Sequence, residues 1–189
     1  MENVNAALRG EARKGIFSNE DPLLPCSTLG EQYRHECFIN HSGWLIRFFG
    51  GDVAKASAAC LSAPPPSVDA CLQSIGLMVT NPSWQTSLLA DTAGKSNEEI
   101  AREICVKFPL SHRSQCVIGG VDNIMNFDQF DVSRASRFCA LADEGDRALC
   151  YQHIGLSLRS QSPDAAIARE KCSTLATPFN HECLVGAGL

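Results

Sequence analysis

The sequence predicts an all-α protein: a right-handed α-solenoid of five helical hairpins with a period of about 34 residues, each stapled by its own disulfide. Three observations predict it. The ten cysteines fall into five pairs, Cys26/Cys37, Cys60/Cys71, Cys105/Cys116, Cys139/Cys150 and Cys172/Cys183, with ten residues inside every pair. Eight positions before the first cysteine of each pair stand Ser18, Asp52, Asn97, Asp131 and Asp164, residues whose side-chain oxygens accept the free amide protons of a helix's first turn. Inside every pair lies a helix breaker: Gly30, the run Pro64 to Pro66, Pro109, Gly145 and Pro178. Proline lacks the amide proton a helix interior needs, and glycine tolerates the backbone angles of a tight reversal. One helix therefore runs from the cap to the first cysteine, the chain turns, and a second helix carries the second cysteine. The segments DVAKASAAC from Asp52 and DVSRASRFC from Asp131 are near-copies, the mark of duplication.

The second helix of each unit is expected to begin about three residues before the second cysteine, which puts both sulfurs about one turn from the bend. Antiparallel helices bring Cα atoms at such a place within the roughly 4.4–6.8 Å a disulfide requires. Spacing alone leaves many connectivities open. The repeat selects among them, because pairing within a unit is the connectivity that survives duplication of a self-sufficient ancestor.

Residues 1–17 precede the first unit and read as an arm or cap, with Val4, Ala7 and Leu8 on one helical face. Residues 18–189 form a single repeat domain of units 18–51, 52–96, 97–130, 131–163 and 164–189. In the first unit Pro22 and Pro25 stand where the others have helix, so its first helix is short or replaced. Its second helix, EQYRHECFINHSGWLIRFF, holds the densest run of aromatic residues and is closed by Gly50 and Gly51. In the second unit begins a recurring alanine four before the first cysteine, Ala56, Ala101, Ala135 and Ala168, a small residue suited to close helix approach. Five residues after the second cysteine stand Ser42, Gly76, Val121, Gly155 and Gly188. Glycine inside a helix costs about 0.5–1 kcal/mol relative to alanine, so Gly76 and Gly155 are expected to receive the alanine face of the next unit. An insertion at about 80–97 lengthens the second unit. The third opens on SNEEIAREIC, with Ser96 or Asn97 as cap, and the fifth stops soon after Cys183, an unfinished apolar face that a further stretch of chain or another molecule would cover.

Composition narrows the function. The chain has 189 residues, 20% charged and 44% apolar, and a net charge of −5, without the basic stripe of a nucleic-acid binder. The longest uncharged run, 70–90, is too polar to span a membrane. Ten bridged cysteines need an oxidising compartment, so the setting is extracytoplasmic: secreted, periplasmic or cell-surface. The N-terminal residues lack the apolar core of a signal peptide. No Walker, G-x-S-x-G or G-x-G-x-x-G pattern occurs, no C-x-x-C is present, and the cysteines lack the short pairs of a zinc site. The histidines of RHEC and NHEC, His35 and His181, share a repeat position but read as helix-start residues. Asp143, Glu144 and Asp146 read as solvated turn carboxylates. Asn40-His41-Ser42 fits a glycosylation acceptor placed within a helix. No catalytic residue, metal ligand or cofactor site is identified.

In its hairpin period the chain resembles α-hairpin repeat proteins of the tetratricopeptide and Sel1-like kind, over residues 18–189 and without the tetratricopeptide signature residues. It is also similar to the twin-cysteine helical hairpins of the mitochondrial intermembrane space, which have two motifs and one residue fewer between cysteines. The resemblance implies an array that recognises proteins or peptides. The expectation is a non-catalytic scaffold for a protein or peptide partner or for further copies of itself, with Tyr33, Trp44, Trp84 and Leu88 as candidate contacts. The alternatives are a structural subunit of a larger assembly and a thiol-based metal or redox carrier.

Overall fold

A computed structural model describes residues 17–89, 91–127 and 130–189; the arm reading for residues 1–16 lies outside them. The described residues contain eleven α-helices and no strand. After a 3-10 turn at Cys26–Thr28 come α1 (Glu31–Ile39) and α2 (Ser42–Phe48), then α3 (Val53–Cys60) and α4 (Ser67–Val79). The inserted α5 (Pro82–Leu88) precedes α6 (Asn97–Cys105) and α7 (Arg113–Phe127). Two further hairpins follow, α8 (Val132–Ala140) with α9 (Glu144–Gln161), and α10 (Ala165–Ser173) with α11 (Phe179–Gly186).

The starts of the first helices follow the sequence. Asp52 and Asp131 accept the amide protons of Lys55 and Arg134, and Asp164 accepts that of Ala166. In the third hairpin the cap is Ser96, not Asn97, and forms a reciprocal capping box with Glu99, which satisfies two amides at once. Ser18 also accepts two amide protons, from Glu20 and Asp21, but no helix follows it. Pro22 and Pro25 withhold the donors a helix needs, and a single 3-10 turn carries Cys26 instead. The second helix of this unit is also interrupted, between α1 and α2 at Asn40 and His41.

All five bridges close inside their own hairpins. The Cα–Cα distance is 5.5 Å in Cys26–Cys37, Cys60–Cys71 and Cys139–Cys150, and 5.6 Å in Cys105–Cys116 and Cys172–Cys183. The second cysteines do not all sit where the sequence reading put them. Cys116 is three residues into α7 as expected, but Cys71 and Cys183 are four residues into α4 and α11, and Cys37 and Cys150 are six residues into α1 and α9. The two deepest placements belong to the hairpins whose breaker is glycine. Gly30 caps α1 and Gly145 lies inside the first turn of α9, so the helix starts early, whereas Pro66 and Pro178 cap later starts in the second and fifth hairpins and Pro109 is followed by a 3-10 turn, Leu110–His112, that leads into α7. The bridges keep the same span because the extra turn projects past the sulfurs without moving them. Nine of the ten cysteines are buried, and Cys37, in the irregular first hairpin, is half-buried.

The sulfur-bearing turns and the apolar stripes of the helices join one core. Ala56, Ala101, Ala135 and Ala168 are all buried in it. The principal contacts join neighbouring hairpins, and the second helices form the main row: α1 and α2 against α4, α4 against α7, α7 against α9, α9 against α11. Two crossings in that row bring backbone to backbone. A Cβ on Gly76 would lie 2.6 Å from the carbonyl oxygen of Cys116 and 3.0 Å from the Cα of Gly119. One on Gly155 would collide with the Cys183 carbonyl, and one on Gly186 with that of Gln152. The close approach expected at Gly76 and Gly155 is therefore present, but its partner is the second helix of the next hairpin and not the alanine face of its first. Gly188 plays no such part; it sits past the end of α11 with φ +69°.

These crossings expose a period of two hairpins. Two residues after the second cysteine, odd-numbered hairpins carry Ile39, Ile118 and Val185, and even-numbered ones Gln73 and Gln152. One residue before it, odd hairpins carry Glu36, Gln115 and Glu182, and even ones Ala70 and Leu149. At each even-to-odd crossing the glutamine meets its counterpart, Gln73 to Gln115 at 2.7 Å and Gln152 to Glu182 at 2.7 Å, beside the paired glycines. The first helices alternate too: DVAKAS and DVSRAS open hairpins two and four, and IARE recurs at 100–103 and 167–170 in three and five.

Candidate functional site

The third and fourth hairpins meet differently, and most of the polar side chains worth weighing as functional lie there. Val121 and His153 hold the places that glycines hold at the crossings on either side. His153 Nε2 lies 2.8 Å from Asp122 Oδ1, the Ser157 hydroxyl donates to the same oxygen at 3.4 Å, and Gln161 donates to Asn126 at 3.0 Å. Serine, histidine and aspartate thus come together, but the carboxylate stands between the other two. A nucleophilic serine must hand its proton to the imidazole, and here it hydrogen-bonds past it, so the arrangement serves packing between α7 and α9.

At one edge of this seam a buried network joins three hairpins. Arg134 Nε donates to Glu98 Oε1 at 3.0 Å, and Arg134 Nη2 to the carbonyl of Thr80 at 2.8 Å. The Thr80 hydroxyl donates to the Gly120 carbonyl and accepts from Asn123. The Glu98 and Arg134 side chains retain only 11% and 15% of their exposure. Their charges are mutually satisfied, which is what permits burial.

At the other edge, by the hairpin turns, a small pocket enclosing about 20 Å³ lies between α6, α7, α8 and the start of α9. Its floor is apolar, with Val117, Phe138 and Ala142 buried, and Cys105 brings the third bridge to its wall. Four charges rim it. Arg102 and Arg113 approach Asp143 at 3.6 and 3.5 Å, while Arg102 Nε donates to the Leu141 carbonyl at 2.8 Å and Arg113 Nη2 to that of Val106 at 2.9 Å. Arg113 Nε is buried with no hydrogen-bond partner. Asp146 is half-buried, and desolvation, then the charge of Asp143, push its carboxyl above the usual range against the pull of Arg113. The turn carboxylates are thus not simply solvated: Asp143 bridges two hairpins and Asp146 is partly desolvated. Glu144 is exposed.

The residues singled out as candidate contacts do not form one face. Tyr33 is 62% exposed, whereas Leu88 is in the core at 3%. Trp44 is half-buried against Phe17 and Phe48, and its indole nitrogen has no partner. Trp84 is half-buried on α5. The insertion is bound to the array, since the buried Gln85 donates to the carbonyls of Val79 and Asn97 at 2.9 and 2.7 Å, and Lys107 donates to that of Leu88. His35 and His181 are exposed, and among the described residues no three His, Cys, Asp or Glu side chains gather as a metal site would require. Asn40 is exposed at the break between α1 and α2 instead of within a helix. No described helix is long and apolar enough to cross a membrane.

The pocket was not legible in the sequence, because its walls come from four elements brought together only by the stacking of two hairpins. No protein-family model, no curated protein and no solved structure matches the chain.

Proposed function

We propose that the chain is a disulfide-stapled, right-handed α-solenoid that acts outside the cytoplasm as a non-catalytic scaffold for a protein or peptide partner. The observation that carries this reading is the row of second helices, in which each hairpin is bridged within itself and packs on its neighbours. Such arrays are extended and present long surfaces, and recognition is their usual role. Five bridges favour an oxidising compartment.

Selection of displayed peptides on the oxidised chain, with the reduced and alkylated chain as control, tests it. A scaffold enriches a convergent set of sequences on the oxidised form alone; no enrichment over the control would sink the reading. A structural subunit of a larger assembly is the second reading, supported by the open Val185 edge of α11, 48% exposed where its counterpart Ile118 is buried at 8%. Light scattering separates the two, since a subunit polymerises as concentration rises and a scaffold stays monomeric. A metal or redox carrier needs thiols, and all ten cysteines are bridged here.

A further inference from the structure

One face of α1 differs from its counterparts in the other odd-numbered hairpins. Counted from the second cysteine, the positions four before, one before and three after share a helical face, since they lie three and four residues apart. In the fifth hairpin all three meet the fourth: Phe179 stacks on Tyr151 at 4.2 Å, Glu182 accepts from Gln152, and Gly186 lies against the Gln152 backbone. In the third, Gln115 accepts from Gln73 and Gly119 lies against the Gln73 backbone. The first hairpin carries Tyr33, Glu36 and Asn40 at these places, all exposed, and among the described residues no hairpin precedes it. A Cβ on Gly119 or Gly186 would collide with the glutamine carbonyl opposite, so the side chain of Asn40 bars a further hairpin from stacking here. The face is open to solvent and closed to the array itself.

The residue that closes it also carries an acceptor nitrogen. Asn40-His41-Ser42 is the pattern for an N-linked glycan. No other asparagine of the chain has it, since Asn81-Pro82-Ser83 places proline at the excluded middle position. Asn40 is the C-cap of α1, at the break before α2, and its Nδ2 donates to the Glu36 carbonyl at 2.8 Å. A side-chain amide nitrogen carries two hydrogens; that bond uses one, and a sugar would replace the other. Ser42 is buried in the folded chain, so its hydroxyl would serve a transferase before the first hairpin closes, and the glycan would be left on the exposed side.

We propose that Asn40 is an N-glycosylation site whose glycan covers the outer face of the first hairpin. The step transfers an oligosaccharide from a polyprenyl diphosphate carrier. A bond forms between Nδ2 and the anomeric carbon as the bond from that carbon to the diphosphate oxygen breaks. The diphosphate leaves with the electron pair, and the amide proton passes to a base of the transferase. Such carriers present their sugars on the extracytoplasmic side of a membrane, so the proposal rests on the extracytoplasmic reading.

The test secretes the full chain from a eukaryotic cell behind a cleavable leader. Intact mass and peptide mapping are read before and after an amidase that releases N-glycans and leaves aspartate. One glycan is expected, with aspartate at 40 after release, asparagine unchanged at 81 and all five bridges in place. Asn40→Gln should lose the glycan and Ser42→Thr keep it. Coverage has its own readout: of the two tyrosines, Tyr151 is 2% exposed and Tyr33 62%, so surface iodination reads Tyr33 alone. It should be severalfold slower in the glycosylated chain than in the Asn40→Gln chain. A secreted, fully bridged chain with unmodified Asn40, or equal iodination of the two forms, would overturn the proposal and leave the extracytoplasmic reading standing. A glycosylated chain whose cysteines stay free would keep the site and remove the bridged, oxidised reading.

Discussion

At position 41 the imidazole gives its Nε2 proton to the carbonyl of Pro22 at 2.7 Å and lies edge-on to Phe38. Burial lowers its pKa below the ordinary value of 6.5, against the opposing pull of the Pro22 carbonyl and Asp21. A base with a depressed folded pKa stabilises the fold above its unfolded value, and that contribution is lost as pH falls through the folded one. Acidification below 6.5 should therefore loosen the first hairpin. Thermal melts across that range should fall less steeply for His41→Gln than for the parent; parallel curves would refute this. Asp146 has the opposite sign: its raised pKa means the contribution is present at low pH and lost as pH rises through the folded value. Asp146→Asn should raise the melting temperature at neutral pH and lose that advantage in acid. Both shifts arise at residues that looked unremarkable in the sequence, because burial by distant segments is invisible in a local stretch of chain.

Helix α9 carries an internal comparison. A Cβ on Gly145 meets nothing within 4 Å, whereas one on Gly155 runs into the backbone of Cys183. Gly145→Ala should stabilise by up to about 0.5–1 kcal/mol, the entropy glycine costs in a helix. Gly155→Ala should cost about 1–3 kcal/mol or more, the range of overpacking, and Gly155→Leu more still. Equal effects at the two positions, measured by denaturant unfolding, would remove the close-packing account. The helices, their turns and the five bridges were readable because each is encoded within about a dozen consecutive residues: a cap, a breaker, a cysteine spacing. The depth of Cys37 and Cys150 in their helices was read less well, since a glycine marks a turn without fixing the residue at which the next helix begins. The first unit was readable in part, since its prolines forbid the helix without specifying the 3-10 turn that replaces it. The glycine at the fifth place after the cysteine was readable as a close approach, but not its partner, which depends on how one hairpin leans on the next.

Across the molecule two kinds of tie hold the hairpins: bridges within each and polar networks between them. Each bridge closes a loop of about twelve residues, worth on the order of 2–3 kcal/mol in the chain-entropy model. Five together rival the whole stability of an ordinary domain. Complete reduction should abolish the helical circular dichroism at moderate temperature; an unchanged spectrum and melting point would contradict this. Arg134→Ala leaves Glu98 buried without its cation and frees the Thr80 carbonyl, and should cost about 3 kcal/mol, the lower end for breaking a buried pair. Glu98→Gln in that background should recover part of the loss, which a double-mutant cycle would measure. Glu98, Arg134 and Thr80 are 36 and 54 residues apart in the pairs they form, so no local pattern could have announced them.

The alternation of glutamine-and-glycine faces with isoleucine-bearing ones imposes a parity on the chain. Excising hairpins three and four, residues 97–163, would set the Gln73 and Gly76 face against Glu182 and Gly186, like meeting like. Excising hairpin three alone would set it against Leu149 and His153, where the glutamine finds no acceptor and the glycine no groove. The shorter chain should then keep its cooperative melt while the longer one loses it, so that this architecture can grow or shrink only by an even number of hairpins.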